Sequence, residues 1–236
     1  MARQSGCAVR PHNFVNKRSL FIGCTVFLAT AAASLWLHDA QAQAHNAGRD
    51  EWQRPAEVMD TLHINAGTQV ADVGCGEGYF VLHLAKRVGA QGRVYAVDID
   101  EDSLGKAKRA VEEDGLTNVL IVRSKANDAT LPAATLDVVL TVNAYHEMRE
   151  YDAMLRSIRA ALKPGGLLAV IDATGDAERD RSRLADEHTI TEALVREDAA
   201  RNGFRFRSKE RGFHNPQRRR EWFFLIFEKP ATPRQQ

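Results

Sequence analysis

From Pro55 onward the chain alternates between short apolar runs and longer segments in which apolar residues recur at helical spacing. The apolar runs are continuous and rich in β-branched residues, which is typical of strands buried on both faces of a parallel sheet. They predict strands at Gln69–Val73, Arg93–Val97, Val119–Val122, Leu136–Val142 and Leu167–Ile171. The segments between them predict helices that include Tyr79–Val88, Asp102–Asp114 and Tyr151–Leu162.

The last part of the chain has a different pattern. A helix is predicted over Thr191–Asn202, followed by two β-rich runs, Phe204–Lys209 and Trp222–Phe227. A predicted loop that contains Gly212 and Pro216 separates the two runs, so they are expected to pair antiparallel and close the sheet. Strand–helix alternation followed by this hairpin predicts a doubly wound, Rossmann-like α/β fold.

A leader precedes the predicted domain. Residues 1–18 carry four basic side chains, the next nineteen residues carry no charge, and Ala40–Ala44 offers two overlapping small-residue cleavage sites. This order is typical of a secretory signal peptide, which we predict over residues 1–42, with a linker over 43–54 and the domain over 55–230. The predicted location is therefore periplasmic. The uncharged stretch is also long enough for an inner-membrane anchor, which is the alternative.

Charge and cysteine content exclude some classes of protein. The sequence has 32 basic and 31 acidic residues, and the leader holds four of the basic and one of the acidic ones, so the mature domain has 28 basic and 30 acidic residues. This near-neutral balance gives no reason to expect nucleic-acid binding. Of the three cysteines, Cys7 and Cys24 lie in the leader, so Cys75 alone cannot support a disulfide scaffold.

The stretch Val70–Phe80 carries the clearest chemical signal. A predicted strand runs directly into Gly74-Cys75-Gly76-Glu77-Gly78, and a helix is predicted to begin at Tyr79. Glycines permit a tight turn and let a ligand approach the backbone, and the N-terminus of a helix offers free N–H groups to a carboxylate. Cys75 fits this loop as a small residue rather than as a reactive thiol.

A carboxylate ends the next predicted strand. Asp98 stands 24 residues after Gly74, at the edge where it can accept hydrogen bonds from both hydroxyls of a ribose. Tyr79 occupies the position of the third glycine of the dinucleotide fingerprint, and Asp72 precedes the loop. A carboxylate repels a pyrophosphate but attracts a sulfonium or an ammonium group. The pattern therefore favours S-adenosyl-L-methionine over NAD.

The same residues resemble a known family. Asp72–Gly78 resembles motif I of the class I S-adenosylmethionine-dependent methyltransferases, and Asp98 fits the ribose-binding acid of that family. Leu131–Leu140 resembles the segment that leads into the fourth strand, and Lys163–Leu168 resembles the turn that opens the fifth. The resemblance covers about residues 52–228 and implies a seven-stranded sheet with an antiparallel last strand.

The resemblance also implies roles for individual residues. Asp72 and the glycine backbone would hold the methionine part of the cofactor, Asp98 the ribose, and Ile99 one face of the adenine. The candidate cofactor-binding residues are Asp72, Gly74, Cys75, Gly76, Gly78, Tyr79, Asp98, Ile99, Asn127, Asp128 and Asn143.

Three groups that can exchange protons follow the fourth predicted strand, at a position that faces the methyl group in this family. They are Tyr145, His146 and Glu147. Methyl transfer needs a base only if the nucleophile carries a proton. His146 is the preferred base because the ordinary pKa of an imidazole lies near neutrality, with packing of the following helix as the alternative role. Tyr145 could instead shape the acceptor pocket.

Several other features are open to two interpretations. The Tyr-His-Glu run and Trp52–Pro55 resemble a bacterial methyltransferase subgroup with predicted export signals, and Trp52 could either cover the cleft or staple the first helix. Asn143 and Asp172 are too few oxygen ligands to predict a metal, and His188 fits a surface residue better than a substrate contact. Residues 205–220 carry seven basic side chains, which fit either a solvated face or contact with an anionic lipid or an acidic substrate.

We therefore predict methyl transfer from S-adenosylmethionine to a small molecule or an envelope component. An NAD(P)-dependent oxidoreductase and a non-catalytic protein that binds S-adenosylmethionine are the alternatives.

Overall fold

The computed structural model describes residues 48–215 and 219–231 of the 236-residue chain. The predicted leader, residues 1–42, and the first part of the predicted linker lie outside the described residues. Within the described ranges, no helix combines the length and the apolar character needed to cross a bilayer.

From Pro55 to Glu228, the described residues form thirteen regular elements and one 3₁₀ turn. The strands are β1 Gln69–Val73, β2 Arg93–Asp98, β3 Val119–Arg123, β4 Leu136–Val142, β5 Leu162–Ala173, β6 Arg205–Asn215 and β7 Arg220–Glu228. The helices are α1 Pro55–Thr61, α2 Tyr79–Val88, α3 Glu101–Glu113, α4 Tyr151–Ala161, α5 Arg181–Asp186 and α6 Glu192–Arg201. The 3₁₀ turn spans Tyr145–Glu147, directly after β4.

The seven strands form one sheet in the order β3-β2-β1-β4-β5-β7-β6. The first five strands are parallel, and β7 runs antiparallel between β5 and β6. This topology confirms the predicted Rossmann-like fold with its antiparallel C-terminal hairpin. The strand order reverses between β1 and β4, and open α/β sheets bind ligands beyond the carboxyl ends of the strands at such a point.

Apolar residues fill both faces of the sheet, as the continuous apolar runs predicted. On one face the sheet packs against α1, α2 and α3, through residues such as Val58, Leu84 and Leu104. On the other face it packs against α4, α5 and α6, through residues such as Leu155 and Leu184. The core is therefore two apolar layers with the sheet between them, which leaves the strand ends as the place for polar chemistry.

The hairpin differs from its prediction in one respect. Gly212 was expected in a loop, but it lies inside β6, where the pairing with β7 shifts register between Glu210 and Phe213. A Cβ atom at Gly212 would collide with the carbonyl oxygen of Trp222. Glycine is thus required here because the two backbones approach closely at an irregularity in the ladder, and not because the strand ends.

Residues 48–54, which we call the N-terminal segment, also differ from their prediction as linker. Residues 48–53 are helical, and the side chain of Gln53 is buried. The ring of Trp52 meets that of Trp222 edge to face, with 5.2 Å between the ring centroids. The segment is polar in composition but packs on the domain, so the folded unit includes these residues as well.

Candidate active site

The glycine loop between β1 and α2 is built from conformations that favour glycine. Gly74, Gly76 and Gly78 all have a positive φ, of 80°, 53° and 91°. A side chain at Gly74 would also collide with that of Ala144, which follows β4. The backbone N–H groups of Gly74 and Cys75 both donate to the carbonyl oxygen of Val97, at 2.8 and 3.0 Å, and so tie the loop to the end of β2.

Asp98, the last residue of β2, lies against this loop. Its Oδ2 atom accepts a hydrogen bond from the N–H of Gly76 at 2.8 Å, and its Oδ1 atom accepts one from the N–H of Asp100 at 2.9 Å. Each carboxylate oxygen has a further lone pair, so Asp98 can still accept two hydroxyl hydrogens from a ligand. The structure therefore brings together the loop and the acid that the sequence predicted to act jointly.

Asp72 lies buried at the end of β1 beneath the loop. Burial, and secondarily the nearby charge of Asp98, raises the pKa of Asp72 to about 7, while the guanidinium of Arg49 opposes this shift. A much larger share of this carboxyl group is therefore protonated at neutral pH than of an ordinary, exposed aspartate. A cationic ligand placed beside it would stabilise the ionised form.

Arg49 is a candidate functional residue that the sequence analysis missed. Its guanidinium lies 3.9 Å from the centre of the Tyr79 ring, and Asp50 contacts both the hydroxyl of Tyr79 and Nε2 of His83. The N-terminal segment is thus fastened over the start of α2 and places a cation beside the glycine loop. A carboxylate bound at that helix N-terminus would meet both free N–H groups and Arg49.

The remaining predicted cofactor residues lie near the same edge. Cys75 is buried, and burial raises the pKa of its thiol, which agrees with a packing role. Ile99 leaves 54% of its surface exposed beside Asp98, an apolar face that an adenine could cover.

Asn127 is exposed, whereas Oδ1 of Asp128 already accepts hydrogen bonds from the N–H of Thr130 and the hydroxyl of Ser157. The adenine contact of Asn127 and Asp128 stays a prediction.

The predicted catalytic residues after β4 have different surroundings. Asn143 is exposed and has a φ of 56°, and its N–H donates to the carbonyl of Ile171. Tyr145 is buried, with its hydroxyl donating to Asp198 at 2.9 Å, on the face of the sheet that carries α6. This contact gives Tyr145 a structural role, and its part in catalysis stays a prediction.

His146 forms a buried pair with Asp172 at the end of β5. Nδ1 of His146 lies 2.9 Å from Oδ1 of Asp172, and neither side chain is exposed. The backbone N–H of His146 also donates to Oδ2 of Asp172, at 3.1 Å. With a proton on Nδ1 shared with the carboxylate, the lone pair of the neutral imidazole lies on Nε2. Nε2 is buried and has no hydrogen-bond partner among the described residues.

A cleft of about 920 Å³ opens next to the N-terminal segment. Aromatic residues from three parts of the chain line it, and charged side chains such as Arg54 and Lys209 lie among them. Lys209 is paired with Glu192, and Arg54 with Glu57. The aromatic lining consists of Trp52, Phe213, Trp222 and Phe223. This volume is within the range of small-molecule sites, and Trp52 lines the cleft.

Comparison with known proteins points to the methyltransferases, the same class of protein that the glycine loop resembles. Residues 70–166 match the family model described as a methyltransferase domain. The demethylmenaquinone methyltransferase of Listeria welshimeri is 31% identical over 122 residues, which are 52% of this chain and 51% of that protein. The chain thus spans about half the length of the curated relatives it matches.

Solved structures extend the similarity over most of the described domain. A SAM-dependent methyltransferase from Aquifex aeolicus is 27% identical, with a TM-score of 0.63 over 74% of this chain and 89% of its own. The cyclase SpnF has a TM-score of 0.65 at 19% identity, over 76% of this chain and 81% of its own, and so shares the fold alone. The comparisons confirm the fold, match residues 70–166 to a methyltransferase domain and support S-adenosylmethionine as the cofactor of that domain.

Proposed function

We propose that this chain, whose residues 70–166 match a methyltransferase domain, transfers the methyl group of S-adenosylmethionine to a small-molecule acceptor. The observation that carries the proposal is the junction between the N–H of Gly76 and the carboxylate of Asp98. This hydrogen bond holds a carboxylate that can accept the ribose hydroxyls directly beside a loop whose backbone is open to a ligand.

The residues present suit each part of this cofactor. Its amino-acid carboxylate fits the N-terminus of α2 beside Arg49, its cationic groups fit the buried carboxyl of Asp72, and its adenine fits the exposed face of Ile99. A Cβ atom at Gly74 would collide with Ala144, so glycine lets the loop pack against the residue that follows β4, while the space beside Gly76 is open. A pyrophosphate in the same place would face Asp72, which disfavours a dinucleotide.

The protein contributes to the reaction mainly by aligning the acceptor with the methyl group of the cofactor. When bound, S-adenosylmethionine supplies an electrophilic methyl group whose bond to sulfur breaks as the acceptor attacks from the opposite side. The protein's tasks are then to hold the acceptor in line and to exclude water. The N-terminal segment serves both ligands, because Arg49 lies at the glycine loop while Trp52 lines the cleft.

The acceptor class is inferred from the cleft. Its lining combines four aromatic residues with charged side chains, which suits a flat ring that carries polar groups, and its volume suits a small molecule. Phe213 and Trp222 lie outside the matched range 70–166, so the name of the Listeria relative does not carry its acceptor to this chain.

Formation of S-adenosylhomocysteine tests the proposal, because methyl transfer from this cofactor releases it whichever acceptor is used. Full-length protein and S-adenosylmethionine are incubated with the low-molecular-weight or the high-molecular-weight fraction of a cell extract, and the product is measured by mass spectrometry. We expect S-adenosylhomocysteine, together with a methylated small molecule, only with the low-molecular-weight fraction.

A variant of the cleft separates acceptor binding from cofactor binding. Trp52→Phe, which keeps an aromatic ring against Trp222 and so the placement of Arg49, is expected to slow turnover severalfold while the affinity for S-adenosylmethionine stays within about threefold of the wild type. Protein that binds the cofactor but forms no product with either fraction would make the chain a binding protein. Turnover with the high-molecular-weight fraction alone would contradict a small-molecule acceptor.

A further inference from the structure

We propose a divalent metal site formed by Nε2 of His146, the carboxylate of Glu147 and Nδ1 of His188. These three ligand atoms lie within 4.8 Å of one another. Oε1 of Glu147 is 3.6 Å from Nε2 of His146 and 3.6 Å from Nδ1 of His188, so the carboxylate stands between the two imidazoles. The sequence predicted no metal, because His188 is distant along the chain and only the fold brings it to the 3₁₀ turn.

The buried nitrogen of His146 is the observation that points to a ligand. Its side chain has no exposed surface, and Nε2 makes no hydrogen bond within the described part of the chain. A buried polar atom without a partner costs free energy, roughly 1–3 kcal/mol. A metal ion bound to this lone pair would remove that cost.

Asp172 holds His146 in the state that a metal requires. The carboxylate lies 2.9 Å from Nδ1 and also accepts the backbone N–H of His146, so the ring orientation and the tautomer are both fixed. Histidines that bind metals almost always donate their other ring N–H to such an acceptor. The His146–Asp172 pair therefore has the form of a metal ligand with its supporting carboxylate.

The distances and charges suit a tetrahedral ion such as Zn²⁺. Bonds of about 2.0–2.1 Å at tetrahedral angles place neighbouring ligand atoms about 3.3 Å apart, close to the two separations of 3.6 Å. The side chains of Glu147 and His188 are 64% and 59% exposed, so both can move to complete the geometry. Two carboxylates, Asp172 and Glu147, with two neutral imidazoles also balance the charge of a divalent ion.

The donor set narrows the choice of metal. Two imidazole nitrogens and one carboxylate oxygen suit Zn²⁺ and the neighbouring divalent transition metals better than Mg²⁺ or Ca²⁺, which prefer oxygen ligands. Three protein ligands leave one position open, as in catalytic rather than structural zinc sites. The inference concerns only this cluster and does not depend on methyl transfer.

Cobalt is a suitable probe because Co²⁺ absorbs visible light and takes the place of Zn²⁺ at such sites. Metal-free, full-length protein is titrated with Co²⁺ alone and then with Zn²⁺ as competitor. We expect one Co²⁺ to bind per chain, with the absorption of a low-coordinate ion, and Zn²⁺ to displace it.

Variants at the two exposed ligands test the assignment without disturbing the core. Glu147→Gln and His188→Asn are each expected to weaken Co²⁺ binding at least tenfold. His63→Asn is the matched control, since His63 is also an exposed histidine with a positive φ, 54° against 52° at His188, and it should bind Co²⁺ like the wild type.

Cofactor titrations on the same samples keep this inference separate from the proposed function. Both ligand variants are expected to bind S-adenosylmethionine as the wild type does, whereas Asp98→Ala should bind Co²⁺ normally. Absence of saturable Co²⁺ binding, or equal binding by the wild type and both ligand variants, would overturn the metal site. The lone pair of His146 would then be available for the role of base that the sequence predicted.

Discussion

Asp98→Ala is expected to bind S-adenosylmethionine at least a hundredfold more weakly than the wild type. In the proposed complex the carboxylate accepts hydrogen bonds from both ribose hydroxyls, and hydrogen bonds to a charged group contribute roughly 1.5–3 kcal/mol each. Loss of two such bonds corresponds to a factor of about 100 or more in the dissociation constant. The substitution also frees the N–H of Gly76, so the glycine loop loses a contact that positions it. Isothermal titration calorimetry measures the effect directly.

Two further variants show whether the effect belongs to this carboxylate. Asp98→Asn keeps the shape and one acceptor oxygen, so it should fall between alanine and the wild type. Asp102→Ala removes an exposed acid from the first turn of the next helix and should change the affinity less than threefold. If Asp98→Ala retained wild-type affinity, the ribose could not be bound at the end of β2.

Asp72→Asn is expected to stabilise the protein increasingly as the pH rises. Burial raises the folded-state pKa of Asp72 from 3.8 to about 7. The contribution of the protonated carboxyl to the free energy of unfolding is therefore complete below pH 3.8 and is lost as the pH rises through 7. An asparagine cannot ionise and avoids this loss. The advantage of the variant in free energy of unfolding should therefore grow by roughly 2–3 kcal/mol between pH 5 and pH 8. Urea unfolding at both pH values measures it.

The affinity for S-adenosylmethionine should also depend on the ionisation of Asp72, but it should increase with pH whereas the stability of the protein decreases. If a cationic part of S-adenosylmethionine lies beside the ionised carboxylate, wild-type affinity should increase about tenfold between pH 5.5 and pH 7, and Asp72→Asn should lose both this increase and much of the affinity. Asp102→Asn, at an exposed acid, provides the control. An equal stability difference at pH 5 and pH 8 would show that Asp72 does not titrate near neutrality.

The parts of this structure that depend on local pattern could be predicted from the sequence. The continuous apolar runs give β1 and β4 with the observed ends, because strands buried on both faces allow few polar residues. The glycine loop and Asp98 could be predicted as a unit, because each stands at the end of a parallel strand and such ends share one edge of the sheet.

The features that depend on distant contacts could not be predicted. The N-terminal segment is polar, and its place in the domain follows from the contacts of Arg49 with Tyr79 and of Trp52 with Trp222. His146 and Asp172 are 26 residues apart, and their pairing depends on the register of β4 against β5. The requirement for Gly212 likewise arises from the approach of the opposite strand, which no local pattern reveals.

A crystal structure of the full-length protein with S-adenosylhomocysteine would test the central claim most directly. We expect both ribose hydroxyls within hydrogen-bonding distance of Asp98, and the amino-acid end of the ligand over Gly74–Gly78 beside Arg49. A ligand bound elsewhere, or a glycine loop that stays covered by the protein's own side chains at saturating ligand, would contradict it.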